Sequence, residues 1–263
     1  MGSTLSQDIT RTEMIMGKPM ETHSKIRLGV TSTYLVPGKS GYLLVDAGPM
    51  GTADLFFKKL EKTGILPEQI QLIVVTHAHY DHAGCLHEIK TACHCPVMTH
   101  GFEAFFLKNP VFRLADPSLD HLPTVDEHQG FRVVQREKTY RFQAVDSEYI
   151  LDQELSLEGL GFSANVVFTP GHTPGSISLV TADHEAFIGD LAVNTFPFGS
   201  GPCFPQYSFN HDRQMQSWEK IQNLGVKTVF PGHGRPFEAH SFNPGENLPE
   251  VLLKNPMSRR IQP

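Results

Sequence analysis

The sequence predicts a layered α/β fold, and three observations lead there. Short, uncharged, β-branched runs alternate with stretches of helical period. The runs are continuous rather than alternating in polarity, as strands buried on both faces are. Metal-competent side chains gather just beyond the ends of several runs, where rigid elements hand over to loops. At 263 residues the chain suits one large domain, residues 1–263, with a full buried core.

The elements follow in order. The stretch to about Ser24 has no clear period and is expected to lie across the surface. Residues 26–36 and 41–45 read as strands joined by the turn composition Pro37-Gly38-Lys39-Ser40, and the second ends in Asp46-Ala47-Gly48. Residues 52–64 read as a helix, with Leu55, Phe56, Lys59 and Leu60 on one face and Gly64 as its stop. Leu72-Ile73-Val74-Val75 reads as a buried strand, followed by a helix over about 82–91 and a short strand at 96–99.

Residues 101–150 break this rhythm and read as an insertion, too short to be a second domain. Phe102, Phe105 and Phe106 share one helical face, expected to pack in the core, with a pocket wall or a dimer contact as alternatives. Pro110, Pro117 and Pro123 punctuate an irregular stretch, and strand-like pieces return near 131–135 and 139–142. Strands are then expected at 163–169, 177–181 and 185–188. After them come a Pro/Gly/Phe-rich loop at 196–209, a helix over 212–224, a strand at 227–230 and a helical tail.

Composition excludes several classes. The net charge of −6 and pI near 6.1 leave no basic surface for nucleic acid. No apolar run approaches the roughly 20 residues of a membrane span, and the N-terminus lacks the layout of a secretory signal. Met1-Gly2-Ser3-Thr4-Leu5-Ser6 matches the loose myristoylation pattern, which arises readily by chance. A cytoplasmic location is therefore expected, with a small-molecule substrate and a homodimer as the open oligomeric question. The four cysteines show no paired CxxC spacing, and Cys93-His94-Cys95 reads as half-buried thiols at a helix-to-strand turn.

The chemistry concentrates at His77-Ala78-His79-Tyr80-Asp81-His82, four ligand types within six residues directly after a strand. Three imidazoles and a carboxylate so close together are costly to bury unless a cation binds them. Three further candidates follow later runs: His172 in Pro170-Gly171-His172-Thr173, Asp190 after Phe187-Ile188-Gly189, and His233 in Pro231-Gly232-His233-Gly234. Their Gly and Pro neighbours permit close backbone approach. Tyr80 is expected to pack beside the site.

The order His77-x-His79-x-Asp81-His82, His172, Asp190, His233 resembles the metallo-β-lactamase superfamily, over about residues 26–238. The resemblance implies a four-layer αββα sandwich with metals in a groove along one edge. It implies a first site of His77, His79 and His172 and a second of Asp81, His82 and His233, with Asp190 bridging them. Asp81 and Asp190 are the implied catalytic carboxylates, and Asp46 falls where the family supports a ligand from beneath. Such donors suit two Zn²⁺ ions per chain, with Fe and Mn as alternatives. A shared hydroxide would then cleave an ester, thioester, lactone or amide bond. No Gly-x-Ser-x-Gly nucleophile turn is present.

Departures from individual branches narrow this expectation. The main clinical zinc β-lactamases have a cysteine in place of Asp190, and the acyl-homoserine lactonases a tyrosine in place of Val193. Glyoxalase II adds a helical C-terminal domain for which the residues after His233 are too few, and flavodiiron proteins have glutamate in place of His79. Aromatic residues of the 196–209 loop and of the 101–150 segment are expected either to shape an apolar pocket or to pack in the core. A mononuclear iron persulfide dioxygenase using His77, His172 and Asp190 is the alternative function, and a non-catalytic metal-binding module the second.

Overall fold

The computed structural model describes residues 23–115, 124–126, 130–132, 137–195, 201–205 and 207–244. Six strands form a first sheet, neighbour to neighbour: β1 (Ser24–Leu28), β2 (Thr31–Pro37), β3 (Tyr42–Val45), β4 (Ile70–Val74), β5 (Val97–His100) and β10 (Tyr149–Leu151). A second sheet runs β11 (Leu155–Ser156), β12 (Ala164–Phe168), β13 (Ile177–Thr181), β14 (Glu185–Gly189), β15 (Thr228–Pro231) and β16 (Phe237–Glu238). Helices α1 (Ala53–Glu61) and α2 (Leu86–Cys93) cross over between the parallel strands β3, β4 and β5. Helix α3 (Gly101–Lys108) follows β5, and α4 (His211–Asn223) leads to β15. Two small antiparallel pairs, β6 (Val111–Ala115) with β9 (Glu137–Arg141) and β7 (Thr124–Asp126) with β8 (Gly130–Arg132), lie between α3 and β10.

Three cores separate the four layers. Leu44, Ile73 and Val75 of the first sheet face Phe56 and Leu60 of α1 and Leu86 and Ile89 of α2. Their neighbours Leu43, Val45, Leu72 and Val74 point the other way, against Val166, Leu179, Phe187 and Phe230 of the second sheet. The outer face of that sheet (Val180, Ala186, Ile188 and Val229) packs on Trp218 and Ile221 of α4. Alternate side chains of a strand point to opposite faces, so a strand with a core on each side must be apolar throughout. That is why these runs are continuous, and the expected αββα sandwich is what forms.

Several elements differ from expectation. The run at 26–36 is two strands, broken where Gly29 takes a left-handed φ of +75° and exposes Val30; an apolar residue at the tip hides this turn from a polarity pattern. Helix α2 begins at Leu86 because residues 79–83 are spent on a tight turn, in which His82 and Ala83 both donate to the carbonyl of His79. The Phe face of α3 is turned to solvent, with Phe102 58% and Phe105 64% exposed, while Glu103 and Leu107 are buried. Cys93 and Cys95 are buried in the first core. After β15 comes β16 and one 3-10 turn, Ala239–Ser241, instead of a helix. The expectations for the N-terminal stretch, for Pro117 and Pro123, for Phe196, Pro197, Phe198 and Gly199, and for the tail from 245 fall outside the described residues. Among the described residues no helix is long and apolar enough to cross a membrane.

The loop after β4 is pressed onto the loop after β3. Ala47 and Gly48 both donate to the His82 carbonyl, and Gly48 bridges Ala83. A Cβ at Gly84 would lie 2.2 Å from both Met50 N and Tyr80 O, backbone atoms with nowhere to go. Gly84→Ala is therefore expected to cost about 1–3 kcal/mol, lowering the thermal midpoint by several degrees. A midpoint equal to wild type would refute this tight approach.

Candidate metal centre

Asp46 organises the first loop. It follows β3, its amide donates to Val74 O, and it holds a left-handed φ of 60°. Its buried carboxylate accepts from Thr76 N at 2.7 Å, Thr76 Oγ1 at 2.9 Å and His82 Nδ1 at 2.8 Å. The last bond sets the His82 tautomer and aims Nε2 at Asp190 Oδ1, 3.2 Å away, and at His233 Nε2, 3.4 Å away. Asp46 thus supports a candidate ligand from beneath, as expected of it.

The other loops add their side chains in the same way. Beyond β12, His172 donates from Nδ1 to Tyr207 O at 2.8 Å, which leaves Nε2 3.0 Å from His79 Nδ1 and 3.5 Å from Asp190 Oδ2. Beyond β15, His233 donates from Nδ1 to Val30 O at 3.2 Å, and its Nε2 lies 3.2 Å from Asp81 Oδ2 and 3.4 Å from Asp190 Oδ2. Gly232 is needed here, since a Cβ on it would lie 2.3 Å from His82 Cε1. Asp190, at the end of β14, reaches both groups of histidines with its two oxygens.

All seven predicted ligands meet at one edge of the two sheets. Ligand atoms of His77, His79 and His172 lie within 4.8 Å of one another, as do those of His77, His82 and Asp190, and those of Asp81, His82 and His233. Cys93 and Cys95 enter no such group among the described residues. Tyr80 is half-buried between the ligands.

Electrostatics divides the cluster. Burial, reinforced by the neighbouring imidazoles, holds His77 well below the usual histidine range. Burial and His172 bring His79 to about 3, and burial also lowers His172. Burial acts the same way on His82 and His233, but the carboxylates outweigh it. Asp190 and Asp46 raise His82 well above its ordinary value, and Asp190 and Asp81 raise His233 to about 9. Burial would raise Asp190, yet His82 and His233 hold it well below the carboxylate range.

These donors fit a metal. His77 Nε2 is buried with no hydrogen-bond partner among the described residues. His172 and His233 have each committed Nδ1 to a backbone carbonyl, and His82 has committed its own to Asp46, so in all three rings Nε2 is the atom left to face the cluster. Imidazoles that can give up their protons to an ion, beside ionised carboxylates, are what a divalent cation requires.

The metallo-β-lactamase superfamily model matches residues 26–233. The chain belongs to that superfamily. A protein of Methanocaldococcus jannaschii named a probable metallo-hydrolase is 28% identical over 209 residues, covering 78% of this chain and 87% of that one. One of Bacillus velezensis, named a probable polyketide biosynthesis zinc-dependent hydrolase, is 24% identical over 231 residues, covering 87% and 81%. Among solved structures, the B3 metallo-β-lactamase BLEG-1 superposes with a TM-score of 0.57 at 21% identity, covering 90% of this chain and 100% of that one. At that identity the likeness speaks for the superfamily's fold alone.

Several participants were not foreseen. Thr76 donates to Asp46 and sits 3.1 Å from His77 Nδ1. The carbonyls of Val30 and Tyr207 orient two ligands, but any residue supplies a carbonyl, so no residue type marks them. Glu103 carries no sequence signal of its own, since it stands among phenylalanines and its partners are distant in the chain. From the 196–209 loop, Phe204 packs in the outer core, while Tyr207 and Phe209 are exposed. The Tyr207 ring lies 5.7 Å from that of His79 and 5.8 Å from that of His172, forming one side of the mouth.

The metal-free protein has a definite pH signature. His233 and His82 are raised, so their contribution is complete below the ordinary value of 6.5 and is lost as pH climbs through the folded value, about 9 for His233. His77, His79 and His172 are lowered, so protonation of the unfolded chain removes stability as pH falls below 6.5. Thermal midpoints in chelator should therefore peak near pH 6.5 and decline on both sides. Metal binding at neutral pH should release about two protons, from His82 and His233, measurable by calorimetry in buffers of different ionisation enthalpy. A flat midpoint from pH 6.5 to 9 and metal uptake without proton release would together refute these assignments.

Proposed function

We propose that this protein is a dinuclear zinc hydrolase acting on an ester, thioester, lactone or amide bond of a small molecule. The observation that carries the proposal is the position of Asp190. Its Oδ1 faces His82, and its Oδ2 faces His172 and His233, so one carboxylate spans both groups of imidazoles. His77, His79 and His172 would hold one ion, Asp81, His82 and His233 the other, and Asp190 would touch both. Zinc is named for the Bacillus velezensis relative, and the donor set of imidazoles and carboxylates suits it. Zinc, when bound, would supply a Lewis acid for a carbonyl oxygen and lower the pKa of a water towards about 7.

The chain's own residues do the remaining work. Asp46 and the carbonyls of Val30 and Tyr207 hold three imidazoles in their ligating tautomers, so that little reorganisation is needed when the cation arrives. Asp81 and His233, with side chains 14% and 19% exposed, stand towards the solvent side of the site. There Asp81, whose Oδ2 lies 3.2 Å from His233 Nε2, would serve as the carboxylate that receives a proton during the reaction. The exposed rings of Tyr207 and Phe209 offer an apolar surface for the substrate's uncharged portion.

The test is a panel of esters, thioesters, lactones and phosphodiesters assayed with the zinc-reconstituted chain. Turnover of carbonyl substrates is expected, and turnover of phosphodiesters alone would overturn the proposal. Asp190→Asn should lower kcat/KM by more than the roughly 10–100-fold typical of residues that merely support a ligand, with loss of bound zinc. Protein purified without added metal that carries one iron per chain and consumes oxygen would point to redox chemistry instead.

A further inference from the structure

Helix α3 inverts the usual arrangement. Of its residues Phe102, Phe105 and Phe106 face outward, while Glu103 is only 1% exposed. A buried carboxylate is expensive unless donors surround it, and three do. Glu103 Oε2 accepts from Ala78 N at 2.8 Å, and Oε1 accepts from Thr173 Oγ1 at 2.7 Å and Gly175 N at 3.1 Å. Burial pushes the carboxyl up, and these three hydrogen bonds work against that push.

The partners are the informative part. Ala78 lies between His77 and His79, on the loop that leaves the first sheet. Thr173 and Gly175 directly follow His172, on the loop that leaves the second. The three imidazoles of one group thus come from two sheets, and a single side chain bonds both loops. The geometry leaves little slack: a Cβ at Gly175 would lie 2.8 Å from Glu103 Oε1 and 2.7 Å from His100 Nδ1. Thr173 Oγ1 is also 2.7 Å from Ser176 Oγ, which accepts from Thr173 N at 3.0 Å, so the second loop arrives at Glu103 already ordered. An apolar residue at 103 would leave these three buried donors without their acceptor, so the carboxylate and the two loops are matched to one another.

We infer that Glu103 is a positioning residue for the His77–His79–His172 ion, setting the gap between the loops that carry its ligands. This rests on the dinuclear reading above. Glu103 touches no ligand nitrogen and acts only through Ala78, Thr173 and Gly175.

Glu103→Gln tests it, because the amide keeps the volume but offers one accepting oxygen where two are used. The full chain is stripped of metal and titrated with zinc against a chromophoric chelator, and the metal-free thermal midpoint is recorded alongside. One zinc step should weaken about 10–100-fold and the other stay within about twofold, more than any fall in midpoint explains. Two unchanged steps, or two steps weakened equally, would overturn the inference. If Glu103→Gln does not fold, Thr173→Val removes one of the three donors and is judged by the same two results. A wild-type chain that binds only one zinc would refute the dinuclear reading. Glu103 is then judged on that ion, where a tenfold loss supports its role and an unchanged affinity rejects it.

Discussion

Everything at the strand ends depends on compensating charge where the two sheets meet. Five imidazoles and two carboxylates crowd one edge, and buried groups of that kind persist only if each is neutral, paired or bound to a cation. Asp46 takes the first share of that burden. Its three hydrogen bonds fix the loop after β4 and the His82 ring together, and its left-handed backbone is a local strain that these bonds outweigh. Around it, His172 and His233 are each oriented by a bond on the far side of the ring, and His77 Nδ1 lies 3.1 Å from Thr76 Oγ1. The result is a set of ring nitrogens aimed inward before any ion is present, which is what separates a candidate metal site from a mere concentration of histidines.

The layers serve this edge. Because central strands such as β3, β4 and β14 are apolar on both faces, they cannot slide in register without exposing one core or the other, and the loops at their ends inherit that rigidity. Cross-links complete the frame near the site: Ile177 N donates to Thr76 O, Ser32 N to Gly232 O and Tyr34 Oη to Pro231 O. Thr76, Gly232 and Pro231 each adjoin a ligand or its turn. Precision at the metal site is therefore a property of the sandwich as well as of the loops.

The candidate ligands were legible in the sequence because their chemistry is local. His77 to His82 announce themselves by spacing, and His172, Asp190 and His233 by standing after strand-like runs beside Gly or Pro. The alternation of elements was legible for a related reason, since strands between two cores must be apolar throughout. What escaped was carried by backbone atoms or by distant contacts. The Gly29-Val30 turn was masked by an apolar residue at its tip, and with it the carbonyl that orients His233. The short edge strands β10, β11 and β16, of two or three residues, have no period to detect. In α3 the phenylalanines suggested a buried face, whereas the helix is anchored by one acid whose partners lie 25 and 70 or more residues away.

That misreading is instructive about where function hides in this fold. Apolar patterning reports how much surface a segment can bury, and α3 meets its packing needs mainly through Leu107, with its rings left outside. A buried glutamate at the next inward position adds little to the core and is tolerated because three donors converge on it. Those donors sit beside candidate ligands from opposite sheets, so the same bonds that offset the desolvation of Glu103 also hold the loops apart by a set distance. Asp46 beneath His82 and Glu103 beneath Ala78 and Thr173 thus play parallel parts on the two sides of the site. In each case a buried carboxylate is kept by three donors, and its hydrogen bonds set the position of groups placed to receive a cation.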